Sequence, residues 1–351
     1  MTGHLAGRYR TVFLIAAAVF VILGTFNLLD QGNNPYDGYV TDGNNTVIRI
    51  DAGGPAERAG LKVGDRIRSI DGIPVEDRHV LVQQGRPRIG QATTLVVERR
   101  ERGAADAIPS VHSLSFDHAA PPGNYAARSF AAYLIGLCFV ICGLVACFKA
   151  PNRSGMLFTL TGLCLGASFL GTPYFSSNAV RTIVRAIISL IVVFGFAFLF
   201  HLMLEFPKRK ASLCKRHALK LLYAPALLVA LFLLFMVVVQ PQATSGLNQL
   251  SNLLIGLFIV AYFGGAAMAI LHSYAKATSH ERARYGLHIE LAGILLGVLP
   301  VTLAMVIRIL VPRLVLPGSD FYYLTVIFIP IALMTAMLRQ VRTTGSPVGQ
   351  T

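Results

Sequence analysis

Eight apolar segments of about 20 residues each restrict this chain to folds that a lipid bilayer can hold. They lie at residues 11–29, 130–148, 156–174, 186–206, 219–239, 252–273, 285–311 and 321–338. Composition agrees, because 54% of the residues are hydrophobic and only 14% are charged, against about 25% charged in soluble proteins. Inside a bilayer the backbone must satisfy its own hydrogen bonds, which favours helices. The sequence therefore predicts an α-helical integral membrane protein with about eight spans.

The first apolar segment has two interpretations, a signal peptide or an uncleaved anchor. A signal peptide has a short apolar core followed by small residues at its cleavage site. Here the apolar core is longer, and Asn27-Leu28-Leu29-Asp30 at its end is a poor cleavage site. We therefore expect residues 11–29 to remain as a transmembrane anchor, preceded by a cytoplasmic segment of residues 1–10.

Basic residues are distributed unevenly over the loops. With the N-terminus in the cytoplasm, the loops on that side hold 15 Lys and Arg residues, and those on the other side hold four when residues 30–128 are set aside. Because cytoplasmic loops carry an excess of Lys and Arg, this bias orients the chain. It predicts a seven-helix bundle over residues 129–338, a cytoplasmic tail over residues 339–351 and an extracytoplasmic region over residues 30–128. In a bacterium with two membranes, the chain then lies in the inner membrane with that region in the periplasm.

The net charge of +14 comes from these loops and does not indicate nucleic acid as a partner. Of the 17 acidic residues, 13 fall within residues 30–128, where they meet 12 basic residues. That region is therefore nearly neutral and offers no basic face. The partners that this composition implies are membrane lipid and whatever the extracytoplasmic region binds.

Residues 30–128 have the pattern of a small β-rich soluble domain. Alternating and β-branched residues predict strands at 46–50, 66–70, 73–75, 93–99 and 111–116. Pro55 suits the first turn of a short helix that Gly60 ends. Asp71-Gly72 predicts a tight hairpin, and residues 76–84 can form a second helix.

One stretch of this region resembles a PDZ domain of the bacterial kind. The resemblance covers roughly a quarter of the chain and implies a small sandwich with one groove between a strand and a helix. Peptides add there as an extra strand, often by their C-terminus. The residues that carry the resemblance define the fold more than they contact a ligand, and they are Gly54, Pro55, Ala56, Ala59, Gly60, Leu61, Gly64, Asp65, Ile67, Asp71 and Gly72.

The resemblance also implies where a peptide would bind, within a domain of about residues 37–117. The family's carboxylate-binding loop is best matched by Gly38-Tyr39-Val40, although Thr41 stands where the family often has a second Gly. We expect the groove between the 46–50 strand and the 76–84 helix. The expected peptide-binding residues are Gly38, Tyr39, Val40, Val47, Ile48, Val80 and Leu81. The alternative is a spacer domain whose groove is filled by residues 109–116 or by the membrane bundle.

Motifs of the membrane enzymes that often accompany such domains are missing. A zinc protease needs two His four residues apart with a Glu between them, and His201 and His288 have no such partner. The sequence has no phosphate-binding glycine loop, and roughly a dozen residues after Leu338 are too few for a catalytic domain. Cys138 and Cys142 lack further metal ligands and are expected to pack between helices. We therefore expect no enzymatic activity, no cofactor and no metal.

Four polar residues inside the predicted spans are candidates for a function, because ionisable groups there are costly. They are His201, Glu205, His288 and Glu290. Glu205 lies close to the interface, so we expect it to pair with Lys208 or Arg209. For His201 we expect an interhelical hydrogen bond rather than a proton site.

The whole plan resembles the sensor half of bacterial multi-span histidine kinases that carry a PDZ domain. That family tends to place a His shortly before Phe-Pro at the end of a span, as His201 and Phe206-Pro207 do. Its last span tends to have an early Pro and to end in Leu-Arg, as Pro330 and Leu338-Arg339 do. The kinase domain itself is absent, so the resemblance implies sensing without catalysis.

The leading hypothesis from the sequence is a non-enzymatic membrane sensor. Its extracytoplasmic domain would bind a peptide or protein segment, and its bundle would signal to a separate cytoplasmic kinase. The alternative is an adaptor for membrane protein quality control that holds a membrane protease or a chaperone. A small transporter is less favoured, since the spans show no obvious inverted repeat and few deep ionisable residues.

The predicted topology can be tested with one introduced cysteine. Asn44→Cys should react with an impermeant thiol reagent in cells whose outer membrane has been permeabilised, because residue 44 lies in the extracytoplasmic region. The unsubstituted chain is the control and should not react, since its own cysteines lie in predicted spans or a cytoplasmic loop: Cys138, Cys142, Cys147, Cys164 and Cys214. Labelling of residue 44 only after lysis of the inner membrane would contradict this topology.

Overall fold

The computed structural model describes residues 3–42, 44–77, 80–81, 85–100, 109–210, 213, 217–239, 245–310 and 319–345. A first helix, α1 (Gly3–Asp30), leads into a β-rich domain at residues 36–119, the β domain. The elements of this domain are β1 (Tyr39–Thr41), β2 (Val47–Ile50), the short helix α2 (Pro55–Arg58), β3 (Arg66–Ile70), β4 (Ile73–Pro74), β5 (Ala92–Arg99) and β6 (Ser110–Asp117).

A helical bundle follows the β domain. Its helices are α3 (Gly123–Lys149), α4 (Arg153–Leu170), α5 (Asn178–Glu205), α6 (Ala218–Val239), α7 (Ser245–Lys276), the short α8 (Ser279–Tyr285), α9 (Leu287–Leu310) and α10 (Phe328–Gly345). Within the described residues, eight helical stretches are long and apolar enough to cross a membrane. The number of these candidate spans agrees with the number predicted from hydropathy.

Glycines set two helix ends that the apolar pattern placed wrongly. The span predicted over 156–174 stops at Leu170, because Gly171 has a φ of +69° and leaves the helix. The span predicted over 285–311 begins at Leu287, because Gly286 is left-handed (φ +65°) and ends α8 there. Thr278 and Glu281 start α8 with a capping box in which each bonds the other's backbone N–H. The residues before α9 therefore form a separate short helix.

The last predicted span, 321–338, is composite. Residues Ser319–Ile327 form a 3₁₀ helix, and α10 begins only at Phe328. Pro330 lies in the first turn of α10, where a missing backbone N–H costs nothing. The α-helix then continues past the predicted end to Gly345.

The β domain contains two small sheets around one core. β1 and β2 pair as an antiparallel ribbon, and the other strands form a sheet of order β4-β3-β5-β6. The Asp71-Gly72 turn between β3 and β4 has positive φ at both residues, as the hairpin prediction required. The core is made by Val47, Ala56, Leu61, Ile67, Val75, Leu95, Val97 and Phe116.

Close backbone approach holds α3 and α4 together. A Cβ added at Gly162 would lie 2.5 Å from the Phe139 carbonyl, and one added at Gly136 would lie 2.8 Å from the Gly166 carbonyl. Thr159 Oγ1 donates to the Gly143 carbonyl across the same contact, at 2.9 Å. Small residues and interhelical hydrogen bonds of this kind are how helices associate in lipid, where apolar burial gives little driving force.

A buried ion pair fixes the loop before β3. The carboxylate of Asp65 is 1% exposed and accepts from Arg99 Nε at 2.7 Å and Nη2 at 2.6 Å, and from the Lys62 N–H at 2.8 Å. Burial acts to raise the pKa of Asp65, but the bonds from Arg99 and Lys62 outweigh it and hold the pKa below its usual range. Because the folded pKa is the lower one, this stabilisation is present at neutral pH and is lost as pH falls through the folded pKa.

We predict that Asp65→Ala destabilises the β domain by about 3 kcal/mol or more, because it leaves Arg99 without its buried partner. The matched control is Arg68→Ala, whose pair with Glu98 is more exposed (42% for the Arg68 side chain), and which should cost less than about 1 kcal/mol. Hydrogen exchange of β3 and β5 amides in the full chain measures both. Equal loss of protection in the two variants would show that burial of this pair is unimportant.

Candidate peptide-binding groove and its junction with the helices

The edge of β1 that faces away from β2 is unpaired. β1 meets β2 with Tyr39 opposite Ile50 and Val40 opposite Arg49, and the Asp51 N–H donates to the Gly38 carbonyl at 2.8 Å. Hydrogen-bonding direction alternates along a strand, so the backbone of Tyr39 points to the other edge. Among the described residues, no strand pairs there. An extended peptide can bind this edge as an added strand.

Among the described residues, the strand with an open edge is β1 and not the 46–50 strand on which the sequence prediction placed the groove. β2 lies between β1 and the segment before β3, since the Val47 N–H donates to Asp65 and the Val47 carbonyl accepts from Gly64, both at 2.8 Å. Val47 is 1% exposed and belongs to the core, whereas Ile48 is 55% exposed. The sequence prediction failed because a three-residue strand at 39–41 has too short a pattern to recognise.

The loop before β1 rests on the start of α2. Gly38 has a φ of +77°, and a Cβ there would lie 3.1 Å from Gly54 Cα and 3.3 Å from Pro55 Cδ. The Asp37 carbonyl accepts from the Ala56 N–H at 3.0 Å. Two motifs far apart in the sequence, the predicted binding loop and the Gly-Pro-Ala turn, are therefore in direct contact.

A row of three aromatic side chains, which ends at a carboxylate, supports this loop. The Phe116 ring makes edge contacts with Tyr39 (6.5 Å between centroids) and His118 (6.3 Å), and His118 Nδ1 contacts the Asp37 carboxylate. Burial raises the pKa of Tyr39, and the charges of Asp37 and Asp71 add to this. Sequence reasoning missed Asp37 and His118, which are 81 positions apart. Their one signal was the position of Asp37 directly before the predicted loop.

The structure describes only part of the predicted 76–84 helix. Val80 and Leu81 are helical and half-buried, and the Val80 N–H donates to the Asp77 carbonyl at 2.9 Å. Residues 78, 79 and 82–84 lie outside the described residues. The alternative occupant of the groove, residues 109–116, is wrong: this segment is β6 and pairs with β5 from Ala92 to Arg99.

A first junction joins the groove loop to the bundle through Asp51. Its carboxylate accepts from the Tyr36 hydroxyl at 2.9 Å and from the Tyr125 hydroxyl, at the start of α3, at 3.1 Å. The two tyrosine rings also meet edge to face, 5.3 Å apart. Burial and then the bond to Asp51 raise the pKa of Tyr36 to about 12. Arg49 balances the charge, with Nε 3.2 Å from Asp51.

A second junction follows the 80–81 helical residues. Arg86 Nη1 lies 2.6 Å from the Asp30 carboxylate at the end of α1, and its guanidinium lies over the Tyr174 ring at 5.3 Å. Arg181, at the start of α5, contacts the same ring at 5.0 Å and bonds the Tyr174 hydroxyl. Both flanks of the groove are therefore tied to helix ends of the bundle.

The four polar residues predicted inside the spans have different surroundings. His201 is 4% exposed and its Nδ1 lies 2.8 Å from the Tyr223 hydroxyl, while its buried Nε2 has no partner among the described residues. Glu205 lies 3.8 Å from Arg209 and 3.9 Å from Arg153. His288 is exposed and Glu290 is 1% exposed, so these two point in different directions.

Of the two partners expected for Glu205, Arg209 is the one that lies near it, whereas Lys208 pairs with Glu281 at 2.5 Å. The neighbouring cysteines Cys138 and Cys142 lie with their sulfurs 3.8 Å apart, one turn apart on α3. Within the described residues, no group of three or more His, Cys, Asp and Glu side chains is placed to hold a metal ion.

Comparison with known proteins assigns the centre of the β domain. The sequence model of the PDZ domain family matches residues 46–99, which begin one position before β2 and end with β5. Residues 46–99 are therefore a PDZ domain. No solved structure matches the chain. PDZ domains bind peptide segments, so a peptide or protein partner is supported in general terms.

We predict that Gly38→Ala loosens the contact between the groove loop and α2. Gly53→Ala is the matched control, because Gly53 has a similar φ of +71° but nothing within 4 Å of an added Cβ. Both variants carry the cost of a left-handed alanine, roughly 1–2 kcal/mol. Only Gly38→Ala also meets the Gly54 backbone, so it should reduce protection of the Ala56 amide further in hydrogen exchange. Equal effects in the two variants would contradict the close approach.

Proposed function

We propose that this chain is a non-enzymatic membrane sensor whose extracytoplasmic PDZ domain binds a peptide or protein segment. The helical bundle then passes the state of that domain to a separate cytoplasmic partner. One observation carries the proposal: Asp51, whose backbone and side chain hold the groove loop, also holds Tyr125 at the start of α3.

The ligand would bind as a strand on the free edge of β1. The backbone of Tyr39 supplies a donor and an acceptor, and the 38%-exposed side chain of Val40 with Val80 and Leu81 supplies apolar contacts. The carboxylate of Asp37 lies next to the loop that would receive a C-terminus. A free carboxylate would be repelled there, so internal segments or amidated ends are favoured as ligands.

Transmission would be a shift between two packings of the bundle. A strand added to β1 moves the loop of Tyr36 and Gly38, and this loop shares Asp51 with Tyr125. A ligand shifts such an equilibrium only by its difference in affinity for the two states. The junction is where that difference arises, because it is the contact that depends on both the groove loop and a membrane helix.

The partner that responds to the packing of the bundle is proposed to be a separate kinase, as the resemblance of the sequence to kinase sensor halves suggests. The adaptor alternative requires only that the groove hold a protein tail near a membrane protease. The two functions differ in one respect that can be measured, namely whether a peptide in the groove changes the bundle.

We predict that the full chain in nanodiscs binds members of a library of short peptides, with affinities on the order of micromolar, as small interfaces allow. Val80→Lys should weaken binding about tenfold, equivalent to about 1.4 kcal/mol, because the groove wall gains a charge. Val63→Lys is the control, since Val63 is 55% exposed in the loop before Asp65. If no peptide in the library binds, or if the two lysine variants weaken binding equally, the groove is not the peptide-binding site.

Peptide addition should also change hydrogen exchange at the start of α3 and at residues 171–177. Tyr125→Phe should keep peptide binding and lose the response at the start of α3, because it removes the bond to Asp51. Tyr133→Phe, whose hydroxyl bonds Thr25 within the bundle, should keep both. Binding without any response in the unsubstituted chain would favour the adaptor over the sensor.

A further inference from the structure

A basic cavity lies at the end of the bundle opposite the β domain. It has a volume of about 250 Å³ and lies between the segment after α5 and the end of α7, with α8 and the start of α9 closing it. The wall carries four Lys and Arg side chains and one carboxylate, and these charged residues are Lys208, Arg209, Lys210, Lys276 and Glu281. Its volume is below the range of about 300–1,000 Å³ of drug-sized pockets, so it suits a small group.

The acid of this cavity is already engaged. Glu281 accepts from Lys208 at 2.5 Å and from the Thr278 N–H at 3.0 Å, as part of the cap of α8. Lys276 is exposed at the end of α7 and forms no ion pair within the described residues. The cavity therefore keeps an excess of positive charge.

Lys210 lies in the wall of the cavity, where backbone and hydroxyl oxygens accept from its amine. Its Nζ donates to the Met203 carbonyl at 2.8 Å and to Ser273 Oγ at 2.7 Å. Burial lowers the pKa of Lys210, and the charge of Glu290 opposes this. An anion in the cavity would stabilise the charged amine. The Ser273 hydroxyl beside it is already used, because it donates to the Ala269 carbonyl at 2.9 Å. Ammonium and guanidinium groups are usual ligands of a phosphate, and the cavity wall contains both.

The two helices whose ends line the cavity, α7 and α9, expose apolar side chains further along their length. α7 exposes Leu271 (47%) and Met268 (67%), and α9 exposes Leu295 (44%) and Leu299 (57%). These side chains lie on helices long and apolar enough to cross a membrane, and the cavity lies where the helices end. A charged recess below an apolar face matches a molecule with an anionic head and acyl chains.

We propose that this cavity binds the phosphate of an anionic glycerophospholipid. The excess of basic residues at this end of the chain orients the protein, but orientation alone does not require that they enclose a cavity. Four cations that line one recess, at the end of helices long and apolar enough to cross a membrane, favour a headgroup site there. The proposal is independent of the peptide groove and rests only on insertion of the bundle in a membrane.

The test uses the full chain, purified and delipidated in detergent, with phosphatidylglycerol as the probe and native mass spectrometry as the readout. Lys276→Gln should weaken binding about fivefold, since each basic residue near a membrane surface contributes about 1 kcal/mol. Lys208→Gln should weaken it at least as much, because it also leaves Glu281 unpaired. Lys149→Gln is the control, as Lys149 is exposed at the end of α3 and outside the cavity.

Preferential binding of phosphatidylglycerol over phosphatidylcholine, lost in the two cavity variants and kept in the control, is the expected result. Lys276→Gln lies at an exposed helix end, so a folded variant is expected and its elution profile checks this. Equal binding by Lys276→Gln and the unsubstituted chain would overturn the proposal, as would equal losses in Lys149→Gln. Displacement of the lipid by excess inorganic phosphate or glycerol 3-phosphate would also overturn it and assign the cavity to a free phosphate.

Discussion

The rest of this architecture depends on eight helices that are long and apolar enough to cross a bilayer, whose hydrocarbon interior offers no partner to an unpaired backbone group. That interior forces the apolar segments into helices that bond internally, and it moves the polar chemistry of the chain to the two ends of the bundle. At one end stands the nearly neutral β domain, and at the other stand the basic loops and the cavity of Lys208, Lys210 and Lys276. Between them, small residues such as Gly136 and Gly162 allow the helices to approach closely.

Because the ends are separated by apolar helices, any communication between them must start from contacts at the β domain. The structure concentrates these contacts at Asp51 and Asp30, which are bonded by Tyr36 and Tyr125 and by Arg86 respectively. Each acid joins a flank of the groove to the end of a membrane helix. Two sets of side-chain contacts therefore attach the β domain to the helices, in addition to the chain connections at its two ends.

Spans and turns, which depend on neighbouring residues, could be predicted from the sequence. Contacts between residues that are distant in sequence could not. Hydropathy gave the eight spans, and the Asp71-Gly72 turn was recognisable because it needs two residues with positive φ. The short β1 edge carried too little pattern, and the helix break at Gly286 was hidden inside an apolar run. The junctions could not be predicted at all, because they join residues such as Tyr36 and Tyr125 that are distant in sequence and individually ordinary.

In the proposed sensor, the strength of the junction sets how much signal a ligand can deliver. A hydrogen bond to a charged group contributes about 1.5–3 kcal/mol, so loosening one bond to Asp51 changes a two-state equilibrium by roughly 10- to 150-fold. A micromolar peptide supplies about 8 kcal/mol on binding, so it can lose that amount and still bind. A much stronger clamp would prevent the peptide from moving the loop, and a much weaker one would leave α3 unaffected. Two tyrosine hydroxyls on one carboxylate lie between these limits, which suits a contact that must be both formed and released.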